Sequence, residues 1–215
     1  MTILIYFFLG ASLGSFAGLV FDRFPEKSIL WPPSHCSNCQ NQLGFKDLVP
    51  VLSFIVSACR CRFCKVPINP LYIILEVLYG LLFIFYALKG IFSLTDLTLI
   101  SFSILLSLFD IKSRSYPMLF WLIAYTTTVM ILGFNLLSCI FLTLALLAIL
   151  FPQSIGSGDL FYLSLLALAY PLSTLLWIIQ GASLLGMLHC HFTSQKSIPF
   201  IPFLTLALLM ITLIT

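Results

Sequence analysis

Residues 1–21 read MTILIYFFLGASLGSFAGLVF, a run without one charged side chain that is closed by Asp22 and Arg23. As a helix such a run covers roughly 30 Å, the thickness of a bilayer's hydrocarbon core. A cleaved signal peptide carries a basic segment ahead of its apolar run and a small-residue cleavage site. Neither is visible, so the run reads as a retained first transmembrane helix with its N-terminus outside. The rest of the chain is as poor in charge. Its 215 residues hold 10 Lys and Arg and 7 Asp and Glu, 8% in all, while 61% are hydrophobic and mean hydropathy is +1.14. A soluble domain carries about 25% charged residues. The composition excludes an ordinary water-soluble globule, and it excludes a disordered tail, which needs low hydrophobicity. The net charge of +3 gives no reason to expect nucleic acid; in a membrane chain the placement of charge is what matters.

Residues 22–67 form the only long polar stretch. Beyond it, apolar runs occupy about 71–88, 94–109, 118–134, 136–151, 160–192 and 198–214. The run 160–192 is long for one helix and short for two, and Pro171 divides it into two tilted or shortened spans. The expected fold is therefore all-α, a polytopic membrane bundle of about eight transmembrane helices, since backbone polar groups in lipid must be satisfied internally. Its expected parts are a first helix (1–21), a cytoplasmic loop (22–67) and a helical bundle (68–215). With eight crossings, Arg23, Lys27, Lys46, Arg60, Arg62, Lys65, Lys112, Arg114 and Lys196 share one side and Lys89 stands alone on the other. That bias marks the shared side as cytoplasmic.

Five of the seven cysteines fall in the polar loop. Cys36-Ser-Asn-Cys39 and Cys61-Arg-Phe-Cys64 form a doubled CxxC array with nearly the spacing of a four-thiolate zinc site, each turn offering two thiolates to one tetrahedral ion. Disulfide bonding is the alternative, disfavoured on the reducing side of a membrane. A closed four-thiolate site is structural, because no position remains for water. Cys59 is a spare ligand or none, and His35 is an outer partner, a substitute ligand or a solvated loop residue. Cys139 and Cys190 read as small hydrophobes. His189-Cys190-His191 reads as interfacial polar residues rather than a metal site.

An acid within a span is a functional-site hypothesis by default. Glu76 is expected near the cytoplasmic interface, as a structural partner for a basic residue of the loop. Asp110 closes the third span, where the helix dipole disfavours a carboxylate by about 0.3–1 kcal/mol. An exposed i, i+4 pair with Arg114 returns only about 0.3–0.5 kcal/mol. Stability gives no reason for this Asp. Asp159, in Gly156-Ser157-Gly158-Asp159, alone reads as a helix N-cap. The two become a candidate site together, because eight crossings bring both to the cytoplasmic leaflet, where paired carboxylates can share a proton and activate water. Asp159, at a helix N-terminus, is expected to take the proton from water, and Asp110 to hold the shared proton and give it to the scissile carbonyl.

Several stretches together resemble the type IV prepilin peptidases, membrane aspartic proteases with a Gly-x-Gly-Asp motif, and among them the compact enzymes that process competence pseudopilins in Gram-positive bacteria. They are Gly14-Ser15-Phe16 with Arg23-Phe24-Pro25, the two CxxC turns, Asp47-Leu-Val-Pro50, Pro67-Ile-Asn-Pro70 with Glu76, Asp110 with Pro117, Gly156-Ser157-Gly158-Asp159, and Ile198-Pro199-Phe200-Ile201-Pro202-Phe203. The resemblance implies catalysis by Asp110 and Asp159 with Gly156 and Gly158 supporting the motif, and removal of the basic leader of a prepilin or competence pseudopilin at the cytoplasmic membrane surface. It also implies zinc in the loop and, in many relatives, methylation of the new N-terminus with S-adenosylmethionine. No nucleotide-binding fingerprint is present. Two positions depart from the family pattern: Phe161 replaces a common Lys, and Ile201 replaces the Gly of the C-terminal motif. An intramembrane protease of other substrates, and a non-catalytic zinc-containing scaffold or transporter, are the rival readings. A transporter would place its acids near the midplane, whereas Asp110 lies two residues from Lys112.

Overall fold

The computed structural model describes residues 1–88, 92–151, 156–193 and 198–214. Lys89 and Lys196, both used above to assign sides, and Ile155 before the glycine motif lie outside the described residues. The described chain is helical and contains only two isolated β-bridges. It divides into two compact units, Met1–Gly90 and Ile91–Thr215.

The first unit holds α1 (Thr2–Arg23), a 3-10 turn (Phe45–Asp47), the short α2 (Leu52–Val56) and α3 (Leu71–Ala87). Helix α1 packs along α3. A Cβ at Gly10 would lie 2.3 Å from the Tyr79 carbonyl oxygen, and one at Gly14 2.5 Å from that of Leu75. The absent side chains let the two backbones touch, as small residues do at helix contacts in lipid. Gly80 answers from α3, where a Cβ would meet the Phe7 ring at 2.5 Å. The loop between these helices is therefore anchored at both ends to one tightly packed pair.

The second unit comprises α4 (Leu94–Ser113), α5 (Met118–Leu132), α6 (Leu136–Leu150), α7 (Ser157–Leu166), α8 (Leu172–Thr193) and α9 (Ile201–Ile214). Ser93 and Asp96 form a capping box at the start of α4, with Ser93 N–H donating to Asp96 Oδ2 at 2.9 Å and Asp96 N–H to Ser93 Oγ at 3.1 Å. The Tyr170 hydroxyl donates to the other Asp96 oxygen at 2.5 Å. Asp96 is thus occupied in holding the start of α4. The run 160–192 is divided as expected, α7 ending at Leu166 and α8 beginning after Pro171.

Helices α4, α7 and α9 meet around buried hydroxyls. The Tyr162 hydroxyl donates to Ser103 Oγ at 2.7 Å, and Ser107 Oγ lies 2.8 Å from Thr205 Oγ1. Pairs of this kind hold helices in register where lipid offers no hydrophobic driving force, typically at about 0.6 kcal/mol each. Outward faces are apolar: on α6, Leu144, Leu146, Leu147, Ile149 and Leu150 are all exposed. Three helices, α1, α4 and α8, are long and apolar enough to cross a membrane, and α3, α5, α6 and α9 are shorter apolar helices. Helix α7, with ten residues, rises only about 15 Å. The chain is that of an all-helical membrane protein with a four-cysteine cluster in its polar loop.

Candidate metal centre and candidate active site

In the first unit, each CxxC pair is folded into a knuckle by its own backbone. Gln40 N–H donates to the Cys36 carbonyl at 3.0 Å, and Lys65 N–H to that of Cys61 at 3.0 Å. Gln40 and Lys65 both adopt left-handed φ, 56° and 59°, which turns the chain back so that the second cysteine faces the first. Cys36 N–H then donates to Asn41 and Cys61 N–H to Val66, and the bridges His35–Gln42 and Arg60–Pro67 close the two turns.

The four Sγ atoms lie within 4.8 Å of one another, with 3.7 Å between Cys36 and Cys64 and 4.0 Å between Cys39 and Cys61. A disulfide needs about 2.05 Å. Four thiolates around a tetrahedral ion at about 2.3 Å stand about 3.8 Å apart. The donor set and its spacing fit one metal ion. The Val66 amide beside Cys64 holds its thiol down at about 6, and the Cys39 amide lowers that of Cys36. Cys39, which the Asn41 amide alone would lower, is pushed up to about 11 by desolvation and the neighbouring thiols. Cys59 is exposed and His35 points its Nδ1 at the Pro33 carbonyl, 2.9 Å away; neither joins the cluster. His189 packs against Phe203 and is likewise outside any such group among the described residues.

Glu76 is buried on α3 and accepts the Val51 N–H at 2.7 Å. Its partner is a backbone amide rather than the basic side chain the sequence suggested. Val51 has φ 62°, a left-handed value costly for a β-branched residue, and the carboxylate holds it there.

In the second unit, a cavity of about 470 Å³ opens between the ends of α4, α7 and α9, lined by Asp110, Tyr116, Gly156, Gly158, Asp159, Ile201 and the apolar Met118, Phe161 and Phe200. The two carboxylates that the sequence singled out therefore line one cavity, and the charge of Asp110 reaches Asp159. Asp110 occupies the last turn of α4 and is 7% exposed. Its Oδ2 accepts the Ile201 N–H at 3.1 Å, with the Phe200 amide alongside. The negative end of Asp110's own helix is thus opposed by the positive end of α9. Prolines at 199 and 202 flank these two residues, so they hold the only backbone donors in that stretch. Proline bracketing was the signal in the sequence that could have marked them. Ile201 needs only its backbone amide for this contact, and its side chain is buried.

Asp159 is the third residue of α7, not its cap; Gly156 is the N-cap. A Cβ on Gly156 would stand 3.1 Å from Asp159 Oδ2, so the glycine leaves room for the carboxylate. The Tyr116 hydroxyl donates to the Gly158 carbonyl at 2.7 Å, its ring so near that a Cβ at Gly158 would lie 3.4 Å from Cε1. Phe161, the second departure from the family pattern, is buried edge-on against Trp121. Tyr116 did not stand out in the sequence, where its only mark is a place beside Pro117.

Comparison with known proteins agrees with the resemblance read from the motifs. Residues 8–90 match the Bacterial Peptidase A24 N-terminal domain. The chain is 27% identical over 221 residues to the prepilin leader peptidase/N-methyltransferase of Bacillus subtilis (strain 168), covering 92% of this chain and 88% of that protein. It is 42% identical over 78 residues to the protein of that name from Myxococcus xanthus (strain DK1622), covering 36% and 23%, and 29% identical over 121 residues to that of Klebsiella pneumoniae, covering 52% and 53%. The matched stretch thus spans less than two thirds of the Myxococcus and Klebsiella proteins. No solved structure matches. The resemblance to prepilin peptidases stands on these matches.

Proposed function

We propose that this chain is a membrane aspartic endopeptidase that removes the short leader of type IV prepilins or competence pseudopilins at the cytoplasmic face of a bacterial plasma membrane, with Asp110 and Asp159 as its catalytic residues. The observation that carries the reading is the meeting of the two carboxylates, from α4 and α7, on one cavity bounded by apolar side chains. The printed names of the relatives support the substrate class. A multi-pass topology, with the knuckle loop and the cavity facing the cytoplasm, follows from the positive-inside distribution of basic residues.

In the proposed reaction Asp159 takes a proton from a water as its oxygen attacks the scissile carbonyl carbon, and Asp110 gives its proton to the carbonyl oxygen. The tetrahedral intermediate then collapses: the C–N bond breaks, Asp159 passes its proton to the departing amine, and the new hydroxyl returns one to Asp110. Since Oδ2 of Asp110 accepts the Ile201 amide, its Oδ1 is the oxygen left to carry the shared proton. Zinc bound by Cys36, Cys39, Cys61 and Cys64 would supply only structure, fastening the two knuckles. The relatives' names also include N-methyltransferase. Methylation of the new N-terminus, with S-adenosylmethionine as donor, is carried as a second activity to which no residue is assigned.

The test incubates the detergent-solubilised protein with a prepilin precursor and compares it with Asp110→Asn and Asp159→Asn. The reading expects leader removal to vanish in both; undiminished cleavage by either variant refutes the aspartyl mechanism.

A further inference from the structure

Asp159 lies on a short helix whose first five residues are held from outside by two aromatic donors. The Tyr116 hydroxyl reaches the Gly158 carbonyl at 2.7 Å, and Trp121 Nε1 reaches the Phe161 carbonyl at 2.7 Å. Both come from the start of α5 and the turn before it. Their acceptors bracket Asp159, one residue before it and two after. Each carbonyl points along the helix axis, so a donor fixed on it resists both rotation and sliding of that turn. Tyr116 differs from Trp121 in also lining the cavity, where its ring covers the face of Gly158 that any side chain would fill.

We propose that Tyr116 is a positioning residue for the reaction, its hydroxyl fixing the Gly158 peptide and thereby the aim of the Asp159 carboxylate toward Asp110. This rests on the aspartyl reading above. Burial, then the nearby charges of Asp159 and Asp110, push the phenol's pKa upward, so it stays a neutral donor through the catalytic cycle. A Cβ at 158 would meet the ring at ordinary contact distance, 3.4 Å from Cε1, so the ring packs directly on this peptide.

Tyr116→Phe keeps the ring and removes only the donor. Loss of one neutral hydrogen bond from an aligned site predicts a fall in kcat of about three- to tenfold, with KM for the prepilin precursor within about twofold and an unchanged thermal midpoint. Hydrogen exchange of the 156–161 amides, which needs no substrate, is expected to quicken in the same variant. An unchanged kcat overturns the proposal, as does a change confined to KM, which would make Tyr116 a substrate contact. Unaltered exchange over 156–161 overturns the brace itself. If Asp110→Asn and Asp159→Asn cleave normally, the aspartyl reading fails and the exchange measurement alone decides whether Tyr116 braces the turn.

Discussion

The cysteine loop and the carboxylate cavity place reactive groups by opposite means. In the loop, all four sulfurs come from a single segment and are aimed by hydrogen bonds within each knuckle, such as Gln40 to Cys36 and Lys65 to Cys61. In the cavity, Asp110 is held by the amide of Ile201 and the Asp159 turn by the hydroxyl of Tyr116, partners brought in by the packing of separate helices. A site made of local turns survives as long as its own few residues do. One made of helix ends fails when any helix shifts.

The sharpest break of that contrast is at the carboxylates. Asp110→Asn or Asp159→Asn is expected to lower leader removal by a thousandfold or more, as about 10²–10⁴-fold is at stake in acid–base catalysis alone, while metal content stays at one ion per chain. Both are read by a cleavage assay and by elemental analysis of the same preparation. The converse variant, Cys36→Ser with Cys64→Ser, removes one thiolate from each knuckle. It is expected to abolish metal retention and to open the loop to proteolysis while the amides of α4, α7 and α9 keep their exchange protection.

Next in size is Ile201→Pro. As α9 begins at this residue, proline fits the first helical position, but it removes the N–H together with a buried side chain. Asp110 loses a donor, and kcat is expected to fall about tenfold, with a lower thermal midpoint from the lost packing of the Ile201 side chain; a variant of full activity would show that α9 does not tune this carboxylate. Glu76→Ala tests the loop's attachment to α3. Leaving the Val51 amide unpaired costs about 1–3 kcal/mol, read as a lower thermal midpoint and faster exchange around residue 51, whereas Glu76→Gln keeps an acceptor and is expected to recover most of it. The smallest effect belongs to Gly156→Ala, whose Cβ crowds Asp159 Oδ2 at 3.1 Å: a fewfold loss of kcat, checked against an unchanged KM.

The same contrast explains what could be read in advance. The knuckles were legible because CxxC spacing is itself the geometry. The two aspartates drew notice because a membrane chain has so few acids that each must justify itself. The partners of those aspartates were not, since Phe200 and Ile201 act through backbone amides that every residue but proline possesses. Glu76 was misassigned for the same reason: a carboxylate near a basic loop suggests a basic side chain, and the amide of Val51 has no signature. The depth of α7 was likewise hidden; Pro171 marked a break, but only the meeting of Tyr162 with Ser103 and of Asn135 with the Ala167 carbonyl shows how a ten-residue helix is held among longer ones.

The two knuckles repeat each other position for position: His35 stands to Gln42 as Arg60 to Pro67, and the spacing from Cys36 to Cys61 is that from Cys39 to Cys64. Each closes with backbone hydrogen bonds of its own, Gln40 to Cys36 in one and Lys65 to Cys61 in the other. The two pairs of thiols are thus presented by separate turns, which a single metal ion would tie together.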